Sequence, residues 1–148
     1  MKYDITDFTG RQVTVSPRLD LYAVKDFMGT ELPGLAVILD DVTDPSEPEQ
    51  YAVLTVSFGE FIGMKNCAYI DTNNCDFADQ LQSQGLASDT GFYKASGFCK
   101  YPLWQFEEGT LREIDNDVYQ KYSDAYDGYM ASMYGDEPDE DGIQEISL

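Results

Sequence analysis

Tyr51-Ala-Val-Leu-Thr-Val-Ser57 is the stretch on which the fold turns. It is rich in β-branched and aromatic side chains, contains neither Gly nor Pro, and has the length of a strand rather than a helix. Immediately before it, Asp40–Gln50 carries two prolines and five acids and is expected as a solvated loop. Leu35–Leu39, the continuous apolar run LAVIL, precedes that loop and suits a central strand. Further upstream, Gln12–Ser16 alternates Val13 and Val15 with polar residues, and Leu19–Val24 resumes after Pro17. Two strands joined by a tight bend are expected there. The series predicts an antiparallel meander.

Working downstream, Cys67–Asp71 is expected as a further strand. A helix should follow, capped by Asn74, with Phe77, Ala78 and Leu81 at helical spacing and Gly85 as its stop. Thr90–Ser96 and Phe98–Phe106 are aromatic and punctuated by glycine, giving two strands, or one strand and a crossing loop. From about Asp115 the pattern becomes helical. At ~100° per residue Tyr119, Tyr122, Tyr126, Tyr129, Met130 and Met133 fall in a sector of about 100°, while Asp117, Asp124 and Asp127 lie on the other side. Gly128 is expected to weaken or kink this helix, at a cost of up to about 1 kcal/mol relative to Ala. The fold class is α+β: an antiparallel sheet with one central helix and a C-terminal amphipathic helix. Residues 1–134 are expected as one domain and residues 135–148 as an acidic, flexible tail.

The 148 residues include 28 acids and nine bases, a net charge of −19, with 14% aromatic and 43% hydrophobic residues. Such apolar content separates the chain from disordered acidic proteins and is enough for a core. The acids crowd toward the end: Glu107–Leu148 holds thirteen against two bases. This field repels nucleic acid and anionic membrane and attracts basic protein surfaces. The N-terminal residues contain no apolar leader and no run approaches the ~20 apolar residues of a membrane span, so a cytoplasmic location is expected.

Little here supports catalysis. There is no histidine, and Cys67, Cys75 and Cys99 form no CxxC pair, so neither a disulfide framework nor a zinc site is expected. No cluster of bases lies near those cysteines to activate a thiolate. Glu137, Asp139, Asp141 and Gly142 match the first, third, fifth and sixth positions of a calcium loop, but the twelfth, which should be a bidentate Glu, is Leu148. No metal and no cofactor is expected, and an enzyme working through carboxylates is the weakest class.

The tyrosine and methionine stripe is expected first as a docking face. Five tyrosines with hydroxyls to satisfy also suit a contact surface for an arginine-rich partner. Candidate partner-binding residues are therefore Asp115, Asp117, Asp124 and Asp127 on the last helix, Asp136, Glu137, Asp139, Glu140 and Asp141 beyond it, and Tyr122, Tyr126 and Tyr129 as aromatic anchors.

Asn66-Cys-Ala-Tyr-Ile-Asp-Thr-Asn-Asn74 and Ser96-Gly-Phe-Cys-Lys-Tyr-Pro-Leu103, with YAVLTVS upstream, resemble a small family of unknown function typical of plasmids and conjugative elements of gut bacteria. The resemblance covers roughly residues 10–112 and leaves the acidic extension outside. It implies a mobile-element setting, in which small acidic proteins disarm host defence, anti-CRISPR and anti-restriction proteins among them. The expected function is an inhibitor that blocks a bacterial defence nuclease, a CRISPR effector such as Cas9 above all, by filling its basic nucleic-acid channel, without itself binding nucleic acid. The rival is an interaction module of the element's own transfer or maintenance machinery.

Overall fold

Alternation in the first sixty residues and helical periodicity between about Asp115 and Tyr134 mark the ends of the architecture. The structure, a computed structural model, describes residues 1–135. Its elements run β1 (Tyr3–Thr6), β2 (Gln12–Lys25), β3 (Glu31–Asp41), β4 (Glu49–Val53), β5 (Thr55–Val56), β6 (Cys67–Ile70), α1 (Ala78–Ser83), β7 (Ser88–Ser96), β8 (Cys99–Gln105) and α2 (Glu108–Tyr134). The fold is α+β, as expected. The strands form two antiparallel sheets rather than one, ordered β1-β2-β3-β4 and β5-β6-β8-β7.

The division falls inside Tyr51–Ser57, expected as one strand. Ala52 and Val53 pair with Leu39 and Ile38 in the first sheet, whereas Thr55 and Val56 pair with Ile70 and Tyr69 in the second. Leu54, fully buried, sits between them. Its N–H donates to the Val37 carbonyl at 2.9 Å and its carbonyl accepts from Asp71 N–H at 2.8 Å. Thr55 Oγ1 then accepts from Val37 N–H at 3.0 Å. One residue thus bonds to both sheets.

The bend expected at Pro17 is absent. β2 runs unbroken through it, with Val13, Val15, Pro17 and Leu19 all buried on one face and Pro17 opposite Leu39. β1 ends opposite Val15, so at Pro17 β2 has a neighbour only on the β3 side. A residue without an N–H is tolerated on such a free edge. The expected central strand, Leu35–Leu39, is buried at all five positions within β3.

The turns at the two ends of β2 repeat one sequence. Asp7-Phe8-Thr9-Gly10 and Asp26-Phe27-Met28-Gly29 each place the Asp carboxylate as acceptor for the N–H groups two and four residues on, at 2.8–2.9 Å. Each Gly sits at positive φ, +87° and +82°, and the two phenylalanines point into solvent, 86% and 83% exposed.

α1 begins at Ala78, with Phe77 rather than Asn74 at its N-cap. The Asn74 side chain instead donates to Asp71 Oδ2 at 2.9 Å, closing the turn before the helix. Its end is as expected: Gly85 lies at φ +89°, its N–H bonds to Gln82, and Leu86 N–H reaches back to Leu81. α2 changes direction at Asp115 (φ −160°, ψ 98°), whereas Gly128 is helical and exposed. Side chains from both sheets and both helices share one core, including Val37, Leu54, Ile70, Leu81, Trp104 and Tyr119.

Candidate interaction surface

α2 carries most of the predicted site, and its two faces have separate tasks. Asp115 is the joint. Its extended backbone halts the first helical segment, and its Oδ1 accepts the Val118 N–H at 3.1 Å, the bond of an N-cap to the third helical residue. Arg112 bridges the same joint, donating to Glu108 at 2.8 Å on one side and to Asn116 and Gln120, both at 2.9 Å, on the other. Its guanidinium also lies 4.8 Å from the Tyr119 ring centre.

Beyond the joint, the inner face is a row of tyrosines whose hydroxyls all find partners. Tyr119 donates to Asn66 Oδ1 at 2.7 Å, the Tyr122 oxygen accepts from Asn66 N–H at 2.9 Å, and Tyr126 donates to the Gly63 carbonyl at 3.0 Å. Tyr129 donates to Asp26 Oδ2 at 2.6 Å. Asn66 is the node of this row. It adopts φ +66°, a region Asn tolerates better than most residues, and its carbonyl also accepts from Phe106 N–H at 2.8 Å.

Tyr122 and Tyr126, expected as anchors for a partner, are therefore buried. Four hydroxyls on one helix face do not require an exposed stripe when residues 63–66 offer partners to three of them and Asp26 to the fourth. Tyr129 is half-buried and also committed, to Asp26. Burial pushes the Tyr122 and Tyr126 phenols up. The hydrogen bond to Asp26 raises Tyr129 to about 12, and the same bond holds the Asp26 carboxyl below its usual range.

The outer face holds the carboxylates. Asp117, Asp124 and Asp127 are all exposed. Asp124 accepts from the neutral Gln120 side chain at 2.8 Å, so its charge is uncompensated by that contact. Asp127 differs, because Lys65 Nζ lies 2.9 Å from it. Lys121 shares the face and is, with Arg112, one of two bases on the helix. Asp136, Glu137, Asp139, Glu140 and Asp141 lie outside the described residues, as does the calcium-loop pattern. Six ion pairs occur among the described residues, engaging Asp7, Asp41, Asp40, Asp127, Glu60 and Glu108.

Chemistry has few footholds. Burial pushes the Cys67 and Cys75 thiols up to about 11, so neither is a thiolate near neutrality. No group of three potential metal ligands occurs among the described residues. A cavity of about 30 Å³ between the sheets, lined by Tyr22, Leu35, Val56, Cys67 and Tyr122 among others, holds about one water molecule. No helix among the described residues is long and apolar enough to cross a membrane.

Exposed aromatic residues were not singled out by charge and periodicity. Phe92 and Tyr93 on β7 and Phe98 at the β7–β8 turn stand in solvent, as do Phe8 and Phe27 of the repeated turns. The paired Asp-Phe-x-Gly sequences were a legible signal for the last two.

A family model described as a domain of unknown function (DUF4313) matches residues 24–126. No curated protein and no solved structure matches the chain. The matched stretch starts after most of β2 and extends past the expected limit at residue 112, through the Asp115 joint to Tyr126. The chain belongs to this family.

Proposed function

We propose, from membership of a family without assigned activity and from the shape of α2, that this protein is a non-enzymatic acidic inhibitor acting in the cytoplasm. It occupies the basic nucleic-acid-binding surface of another protein. Its setting is a mobile element of gut bacteria, and its target is a defence nuclease of the CRISPR-effector type, whose heteroduplex channel and PAM groove are both lined with bases.

The observation that carries this reading is the mounting of Asp117 and Asp124. They stand exposed on one face of a helix whose opposite face is fastened through four tyrosine hydroxyls. Seven helical residues separate them by about 10 Å along the axis and leave both on one face. Carboxylates held on a rigid support lose little freedom on binding, so they can displace phosphates from Lys and Arg contacts. Charge presented this way acts through salt-sensitive contacts and needs no turnover.

The test is capture of partners from bacterial lysate at low and high salt, followed by competition of the purified target with its guide RNA or DNA. Asp117→Asn/Asp124→Asn should lower affinity and flatten the dependence on salt by about one to two counterions. A target bound equally well by this variant, or bound together with its nucleic acid, refutes the proposal.

A further inference from the structure

The segment 60–66 has α2 on one side and β7 on the other. Toward α2, Lys65 Nζ lies 2.9 Å from Asp127, and the Gly63 carbonyl accepts from the Tyr126 hydroxyl. Toward β7, Glu60 pairs with Lys94 at 2.6 Å, and Ile62 and Met64 line an open groove of about 490 Å³ together with Phe92. Buried Leu103 and half-buried Tyr69 complete its apolar lining. Glu60 is the one charged residue in that lining, and Lys94 neutralises it, so the groove itself is apolar and without net charge. Phe92 is nevertheless 62% exposed. The surroundings on both sides are anionic. From Met64 and Lys65 the surface runs through Asp127 to exposed Asp124, one helical turn back, whose carboxylate meets only the neutral Gln120 amide. Along β7, exposed Asp89 stands three residues before Phe92 and joins none of the ion pairs among the described residues.

We infer that this groove receives an aromatic side chain of the same basic protein that meets the outer face of α2, from a segment in which Arg or Lys flanks that side chain. The inference rests on the role proposed for α2 and adds a second contact to it. The groove and its surroundings select different parts of the occupant. An uncharged apolar lining with the Phe92 and Tyr69 rings favours an aromatic group, which gains by edge and offset ring contacts as well as by burial. The acids on either side, Asp124 and Asp89, favour cations at the flanks. The net charge of −19 turns away polynucleotides, acidic peptides and further copies of this chain. Strand addition at this part of β7 is not the route, because Asp89 Oδ1 and Thr90 Oγ1 already accept the Gly91 and Phe92 N–H groups, at 2.9 and 3.1 Å. The acidic helix supplies attraction toward any basic surface, and the groove supplies the choice among them.

Calorimetric titration of the full chain with two synthetic peptides of alternating Arg and Gly, one with a central Phe and one with Ser in its place, reads the groove apart from the helix. The Phe peptide should bind about tenfold more tightly, as burial of one aromatic side chain gives. That ratio should persist at about 0.5 M NaCl, where screening weakens both peptides alike. Phe92→Thr should abolish the ratio while leaving the Ser peptide's affinity and the melting temperature unchanged, since Phe92 is exposed and Thr suits a strand. Asp117→Asn/Asp124→Asn should weaken both peptides equally and preserve the ratio. Equal binding of the two peptides, binding of neither, or a ratio retained in Phe92→Thr overturns the inference. A ratio lost in Phe92→Thr, with both affinities untouched by Asp117→Asn/Asp124→Asn, upholds the groove and refutes the role of α2.

Discussion

Substituting Asp115 separates its structural task from its charge. The residue caps the second segment of α2 through one bond of 3.1 Å to Val118 N–H, and places a carboxylate at the positive end of that segment's dipole. Asp115→Ala removes both, at a cost of about 1–2 kcal/mol. Asp115→Asn keeps an acceptor oxygen and loses only the charge, about 0.3–1 kcal/mol at low ionic strength. For a domain of this size 1 kcal/mol corresponds to roughly 3–5 °C in melting temperature. Thermal unfolding followed by circular dichroism, in low salt and in 1 M NaCl, distinguishes the two contributions. Salt screens the dipole interaction but not the hydrogen bond, so at 1 M NaCl the Asn variant should melt with the parent while the Ala variant stays lower. Two variants that melt together in high salt, or an Ala variant as stable as the parent, would refute the capping role.

Gly128→Ala should stabilise the protein by up to about 1 kcal/mol in urea unfolding, because Gly128 is helical and exposed and an added Cβ meets nothing within 4 Å. Asn66→Ala should cost about 2 kcal/mol or more, combining the left-handed backbone with the lost Tyr119 bond, and Asn66→Gly should recover the backbone share; equal losses in the two would contradict this. Stability should fall between pH 10 and 12: the Tyr129 phenol titrates near 12 when folded against 10 when unfolded, so its contribution is complete below pH 10 and lost as pH rises through 12. Tyr122 and Tyr126, raised by burial, act in the same direction. Melting temperatures recorded from pH 8 to 12 test this, and Tyr129→Phe should show a shallower decline.

The alternation of Val13 and Val15, the run Leu35–Leu39 and the glycine at 85 were legible because each depends on neighbours in sequence. The break at Leu54 was not. Val53, Leu54 and Thr55 are equally good strand formers, and only the competing partners, β3 on one side and β6 on the other, make the chain leave one sheet for the other. Pro17 misled in the opposite sense, since whether a proline is tolerated depends on where β1 stops. The spacing of the α2 stripe gave the right inner face, but burial of its tyrosines depended on polar groups of residues 63–66, which no local pattern announces. Propensity points to a weakening or a kink at Gly128; the change of direction lies at Asp115, where a short acceptor side chain can restart a helix.

The row of tyrosines has a consequence for how force passes through the molecule. Asn66 receives two of them, Gly63 a third and Asp26 the fourth. A pull on the acidic side of α2 is therefore shared between the loop beneath the helix and the hairpin that holds Phe27. The helix works as a splint over two segments that Lys25 already ties together, through its backbone bonds with Gly59 and Phe61 at 2.9 Å.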